Sequence, residues 1–138
     1  MNPQGISYRL FRDPPENELT ALYRTAGWIG DADTPDRIRR LIHGSFLFCG
    51  AFDGAGRLVG SMRALSDGVS DAYLLDLVVR REYRKLGVGR NILNRLTDWL
   101  KQRGIDWILC IGAPDTDQFY ARTRAEKMNG YTPYRFQS

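Results

Sequence analysis

Residues 76–93 read DLVVRREYRKLGVGRNIL, and the fold is decided in this stretch. An apolar strand ends, a basic loop holding Gly87 and Gly89 follows, and an amphipathic helix opens. The helix, Gly87–Lys101, carries Val88, Ile92, Leu96, Trp99 and Leu100 on one stripe and stops at Gly104. Upstream, Ala72–Val79 (AYLLDLVV) is almost continuously apolar, the pattern of a strand covered on both faces. Trp107–Ile111 reads as a second fully buried strand. Together they form a strand–helix–strand unit, whose two strands run parallel because the helix returns the chain to its starting end.

Outward from this unit the elements alternate differently. Ser7–Phe11 alternates as a short strand, and Pro14-Pro15 stops it. Glu16–Ala26 is a helix with Leu19, Leu22, Tyr23 and Ala26 on one face, ended by Gly27. Thr34-Pro35 opens a second helix to about Leu41. Phe46–Phe52 and Leu58–Ala64 are strands joined by a hairpin at Asp53–Gly56, and Ser66–Gly68 makes the next turn. After the central unit, Asp115 caps a helix in box register with Gln118, and Asn129-Gly130 joins a last hairpin of Ala125–Met128 with Tyr131–Phe136. The order β-α-α-β-β-β-α-β-α-β-β describes one α/β (α+β) domain over residues 1–138, with a mixed sheet.

Composition narrows the function. The chain has 138 residues, 43% hydrophobic and 26% charged, which is ordinary for a globular domain. No apolar run approaches a membrane span and the N-terminus lacks a signal segment, so a cytoplasmic protein without membrane partners is expected. Cys49 and Cys110 lie in apolar runs as free thiols, and His43 is the only histidine. Too few ligands remain for a cysteine-rich metal site, and no metal is expected. A histidine-dependent triad has almost nothing to build on. The net charge of +4 is concentrated in residues 80–90, where Arg80, Arg81, Arg84, Lys85 and Arg90 face only Glu82. A nucleic-acid binder spreads its charge over a face, whereas this cluster suits a small polyanion, and no nucleic-acid partner is expected.

The glycines let a backbone approach a ligand without a Cβ in the way. The N–H groups and dipole of the helix start favour an anion. Arg84, Lys85 and Arg90 add charge, so the loop is a candidate pyrophosphate cradle. The alternative is a plain helix start with solvated charges. A nucleotide P-loop is excluded by the missing Gly-Lys-Ser/Thr ending, and a dinucleotide fingerprint by the missing third glycine.

Arg84-Lys85-Leu86-Gly87-Val88-Gly89 matches the R/Q-x-x-G-x-G/A motif, and the chain resembles the GNAT acyltransferases on this motif and on the order of elements. Phe119-Tyr120 is similar to the family's late helix, although Arg124-Ala125 stands where Gly-Phe is usual. The resemblance implies a GNAT-like, mostly antiparallel mixed sheet with flanking helices and a central βαβ acyl-CoA-binding unit. It implies N-acetyl transfer from acetyl-CoA, as co-substrate, to a primary amine of a small molecule or peptide by direct attack. A binding module that holds acyl-CoA without turnover is the alternative, and a homodimer is left open. Acetyl-CoA would set its pyrophosphate on residues 84–89 and Arg90, with Leu86 and Val88 in the same loop. Its pantetheine arm would pair with the main chain of Leu77, Val78 and Val79.

There are two catalytic candidates, Tyr120 from the resemblance and Asp76 from its place in the strand. Tyr120 would protonate the departing thiolate, or else be an aromatic held by packing. Asp76, the only charge in AYLLDLVV, would act as a base directly or through water, or else be satisfied by backbone N–H groups or an arginine. On the acceptor side stand Trp28 and Asp67, with Asp31 and Asp33 as further acidic candidates; each aspartate is more often a turn or capping residue.

Overall fold

Five strands lie in the sheet in the order in which the chain makes them: β1 (Ser7–Phe11), β2 (Leu47–Phe52), β3 (Leu58–Ser66), β4 (Asp71–Val79) and β5 (Trp107–Cys110). The computed structural model describes residues 5–30 and 32–137. β1 to β4 pair antiparallel, with two helices (Glu16–Thr25 and Pro35–Gly44) between β1 and β2 and short turns joining β2 to β3 and β3 to β4, and β5 joins β4 parallel. The long crossover that a parallel pair requires is α3 (Val88–Gln102), reached through a single 3-10 turn at Arg81–Tyr83.

Side-chain alternation divides the sheet into two covered faces. On β2, Leu47, Cys49 and Ala51 point to one side and pack with Val88, Ile92, Leu93, Leu96 and Leu100 of α3. Phe48 and Phe52 point to the other, where α1 (Glu16–Thr25) and α2 (Pro35–Gly44) bring Leu19, Leu22, Tyr23, Ile38 and Ile42. Each fully buried Leu or Phe here stabilises the fold by roughly 1.5–3 kcal/mol. α3 sits close on the sheet because position 60 is glycine: a Cβ there would stand 2.9 Å from Ile92 Cδ1. Among the described residues no helix is long and apolar enough to cross a membrane.

Four expectations are corrected. β4 is not buried along its whole length; Asp71 and Tyr73 are exposed, because only one face of that end is covered. β5 is the sheet edge, with Trp107 exposed at 45%, since no strand follows it among the described residues. The last helix, α4 (Asp117–Ala121), follows Thr116 rather than Asp115, and no side-chain cap bond forms. The final hairpin is absent: Gly130 makes the turn with φ +85°, and Tyr131 N–H donates to Met128 O at 3.3 Å, but neither arm pairs as a strand. Pro133 removes a ladder donor from one arm, and the other arm, Ala125–Met128, is exposed throughout.

Candidate active site

The site begins with a fault in the sheet. Ser61 pairs with Val78, but Arg63 pairs with Leu75, so Asp76 and Leu77 together oppose Met62. Asp76 takes the bulge with φ +59°, a conformation aspartate tolerates better than most residues. At the same level the parallel ladder stops, its last pair being Leu74 with Cys110. Residues 75–79 therefore face a gap where β5 has left the sheet.

The backbone around the gap has defined directions. Arg80 N–H donates to Val59 O at 2.8 Å while Val79 sits opposite Gly60. In an antiparallel ladder this turns the N–H and C=O of Val79 away from β3, into the gap. Val78, one residue earlier, turns its groups toward β3 instead. Of the three main-chain positions expected to meet a pantetheine arm, Leu77 and Val79 turn their groups to the gap, where the Val79 carbonyl already takes the Arg84 side chain, and Val78 does not.

The glycine loop closes over the same end. Arg84 Nε donates to Val79 O at 2.9 Å, and Arg80 Nε donates to Leu58 O at 3.0 Å. Both guanidinium groups thus clamp the loop to the strand ends as well as supplying charge. Lys85 and Gly87 take φ +62° and +82°, and Asn91 N–H bonds to Gly87 O at 3.0 Å. The N–H groups of Val88, Gly89 and Arg90 precede that bond and have no intrahelical acceptor. A Cβ on Gly89 would lie 3.3 Å from the Phe119 ring, so α4 packs directly on the start of α3. Backbone donors, a glycine cradle and Lys85 and Arg90 fit a diphosphate group. Leu86 is half exposed on the loop surface.

Tyr120 lies beside the end of β5. Its ring packs on Gly112, and the Cys110 thiol stands near its hydroxyl. Burial, with Cys110 and then Tyr73 adding to it, pushes the phenol up to about 12. It therefore stays protonated across the neutral range. Burial also pushes the Cys110 thiol up, partly offset by the neighbouring Tyr120 hydroxyl.

Asp76 has a partner that the sequence did not reveal. Arg63 Nε donates to its Oδ2 at 2.7 Å, and Arg63 Nη1 donates to Ser45 Oγ at 3.2 Å. Tyr23 stands next to this pair with a buried hydroxyl that lacks a hydrogen-bond partner. Burial and the Asp76 charge push its phenol far above the ordinary value, against the nearby Arg63. Trp28 meets the Tyr23 ring edge-on at 5.2 Å and keeps 42% of its surface exposed. It thus borders the Asp76 side of the sheet.

The acidic acceptor candidates are not brought there. Asp67 sits in the β3–β4 turn, at the opposite end of the nine-residue strand from the glycine loop. Its carboxylate accepts N–H bonds from Val69, Ser70 and Asp71 and the Ser70 hydroxyl, which hold it well below the usual carboxylate range. It organises a turn. Asp33 does the same, accepting from Gly30 N–H at 2.9 Å and pairing with Arg37 at 3.2 Å. Asp31 lies outside the described residues. Arg63, Tyr23 and Cys110 were missed as site residues; a lone charge in each of two neighbouring strands, Arg63 and Asp76, was the available signal.

A sequence model of the acetyltransferase (GNAT) family matches residues 8–130. An uncharacterized N-acetyltransferase, ycf52, of Porphyra purpurea is 31% identical over 107 residues, covering 76% of this chain and 61% of its own. Serotonin N-acetyltransferase 2, chloroplastic, of Oryza sativa subsp. japonica is 35% identical over 88 residues, covering 62% of this chain and 44% of its own. The chain thus spans only about half the length of these curated relatives. Among solved structures, a GNAT-family acetyltransferase from Streptococcus pneumoniae superimposes with a TM-score of 0.78 at 19% identity, covering 96% of this chain and 98% of the other. Glucosamine-6-phosphate N-acetyltransferase from Arabidopsis thaliana does so with a TM-score of 0.71 at 12% identity, covering 95% and 99%. At these identities the structural likeness is one of fold.

Proposed function

The chain belongs to the acetyltransferase (GNAT) family, and from that premise we propose that it transfers an acetyl group from acetyl-CoA to a primary amine of a small molecule or peptide, by direct attack in a ternary complex. The observation that carries this reading is the parallel ladder ending at Leu74 and Cys110 beside the glycine loop. It leaves a slot that starts at anion-binding N–H groups and runs along strand backbone to a phenol.

Bound acetyl-CoA supplies the thioester and, on transfer, a thiolate leaving group. The N–H groups of Val88, Gly89 and Arg90, with the charges of Lys85 and Arg90, bind the diphosphate. Leu77 and Val79 present main-chain groups along the slot. In this reading Val79 N–H donates to the negative charge developing on the carbonyl oxygen, and a fixed dipole acts most strongly in a dry site. The Tyr120 hydroxyl donates to the leaving sulfur. Held at about 12, it acts first as a hydrogen-bond donor, since full proton transfer from so weak an acid is uphill. Asp76, ion-paired with Arg63, secures the bulge. The acceptor's ammonium proton then leaves to solvent.

On the acceptor side, the exposed ring of Trp28 and the serotonin named in the rice relative favour an aromatic primary amine as the first class to assay. The test is steady-state turnover with acetyl-CoA and a panel of aromatic, aliphatic and peptide amines, beside calorimetry of acetyl-CoA binding. Turnover with one class supports the proposal. Tight binding without turnover on any amine replaces it with a non-catalytic acyl-CoA module.

A further inference from the structure

The mechanism above uses the β4–β5 side of the sheet, and the opposite edge, β1, has no task in it. Among the described residues no strand pairs with the outer side of β1. In an antiparallel ladder alternate residues turn both backbone groups to the partner, so the remaining residues of β1 turn theirs outward. No further main-chain hydrogen bond meets those groups among the described residues. The strand holds no proline and pairs with β2 without a bulge, so two common devices for blocking an edge are missing. Its one charge, Arg9, lies back over the Phe11 and Phe52 rings, 5.5 and 5.2 Å from their centroids.

Beside this edge α3 presents one i, i+4 ridge of Asn91, Arg95, Trp99 and Arg103. Asn91 Nδ2 donates to Tyr8 Oη at 3.3 Å, and Arg95 lies 4.7 Å over the Tyr8 ring. Trp99 meets Phe46 at 6.1 Å; Arg103 stacks on Trp99 at 3.5 Å and Arg12 on Phe46 at 4.8 Å. Leu10 shares its side of β1 with Tyr8 and is 37% exposed, so edge and ridge make one surface. Arg12, Arg95 and Arg103 are exposed and pair with no carboxylate among the described residues. Of the acids near them in sequence, Asp13 and Asp98, the second is taken up by Arg124 at 2.9 Å. A guanidinium stacked on a ring is held in place and keeps its N–H edge for an acceptor.

We propose that this surface takes an extended acidic segment of another protein, which adds a strand to β1 and sets its carboxylates against Arg12, Arg95 and Arg103. The edge selects a polypeptide: outward N–H and C=O groups at strand spacing are matched by another strand, and by neither a nucleic acid nor a membrane surface. The arginines select acidity, because three unpaired and pre-placed guanidinium groups suit carboxylates. Side chains of an added strand alternate, so those on the α3 side meet these arginines and Leu10, and those on the other side meet Arg9. A second copy of this chain fits poorly, since β1 against β1 brings like charges together across the two-fold axis. β2 and β3 separate β1 from β4, so a segment bound here leaves the reacting slot open.

The test titrates the full chain, from about 1 to 500 μM, into a fluorescent peptide of about ten alternating glutamates and valines, capped at both ends so that it offers no acceptor amine. Anisotropy should rise to saturation and be unaffected by added acetyl-CoA. The dissociation constant should rise at least tenfold in the double variant Arg12→Glu/Arg95→Glu, and also on raising salt from about 0.1 to 0.5 M. Both changed residues are exposed, so circular dichroism should show the fold unchanged. The same peptide N-methylated throughout keeps its charge and loses its ladder donors, and it should bind the wild-type chain at least tenfold more weakly. No binding at 500 μM overturns the proposal. Equal affinity for the N-methylated peptide overturns it too, since charge alone then holds the segment. Equal affinity in the double variant, or displacement by acetyl-CoA, moves the peptide to another cationic site and has the same consequence. Tighter binding of a single-stranded oligonucleotide of equal charge overturns it in favour of a nucleic acid.

Discussion

Arg63 Nε lies 2.7 Å from Asp76 Oδ2, and this ion pair ties β3 to the bulge of β4 across the point where the strands lose register. The bulge sets which main-chain groups reach the gap, those of Leu77 and Val79, so the pair sets the direction of the backbone that the proposed reaction uses. Both side chains are largely shielded, at 14% and 29% exposure, so neither charge is easily left alone. A carboxylate in this position has a structural task before it has a chemical one.

Asp76→Asn tests that order of tasks. The change is nearly isosteric and strands the Arg63 guanidinium, so a loss of ~1–3 kcal/mol in stability is expected. Turnover per folded molecule should stay within a few-fold of wild type. The acidic limb of the pH–rate profile should follow the pKa of the chosen amine and ignore the substitution. Melting temperature and rate profile measured on the same samples decide it: a displaced acidic limb at unchanged stability would restore Asp76 as the base.

Tyr120→Phe should lower kcat by ~10²-fold and leave the affinity for acetyl-CoA nearly unchanged, because the ring and its packing on Gly112 remain. The active form is the protonated phenol, which is lost only as pH rises through about 12. The wild type should therefore show no descending limb from this group between pH 7 and 10. Rate profiles of both proteins with one good acceptor check this. A wild-type limb near pH 9 that vanishes in the variant would place the ionisation too low for the observed burial.

Much of this was legible from residues alone. The strand–loop–helix at 76–93 was readable because its apolar period, its two glycines and its charge cluster all give the same answer. The bulge was not, since nothing local distinguishes an aspartate in a regular strand from one at φ +59°. Its arginine partner stands 13 positions away, and strand register decides whether they meet. Asn129-Gly130 correctly marked a turn, but a turn makes a hairpin only if its arms find pairing, and the four-residue β5 offers a short edge. Asp67 was open to two readings, an acidic group for an amine or a turn residue, and its carboxylate accepts the N–H groups of Val69 and Ser70 in the turn.

Gly87 and Gly89 fail for different reasons when substituted. Alanine at 87 must adopt φ +82°, which costs ~1–2 kcal/mol in a residue with a Cβ. Leucine at 89 drives a side chain toward the Phe119 ring, 3.3 Å from its first carbon, and fills the cradle. Gly89→Leu should weaken acetyl-CoA binding at least tenfold by calorimetry while the protein remains folded. Wild-type binding should also weaken as salt is raised, because a localised cationic cluster meets phosphates. Equal affinity in wild type and Gly89→Leu would remove the loop from the binding site.

Cys49 makes the fold sensitive to alkali. Its thiol lies in the core under α3, and burial pushes it up to about 12 from 9.0, only slightly offset by Arg95. The folded-state value exceeds the unfolded one, so the stabilisation is complete below pH 9 and is lost as pH rises toward 12. At most this amounts to ~4 kcal/mol, at about 1.4 kcal/mol for each pH unit. Tyr23 adds a loss of the same sign above pH 10, since its phenol is also raised by burial. Cys49→Ala removes the thiol titration and leaves that of Tyr23. It should cost ~1–2 kcal/mol at pH 7 from the small cavity, yet show a shallower decline in stability between pH 9 and 10.5. Urea unfolding at half-unit pH steps measures both. If the two proteins lose stability in parallel over that window, the thiol ionises without opening the core, and the burial of Cys49 does not govern the alkaline limit.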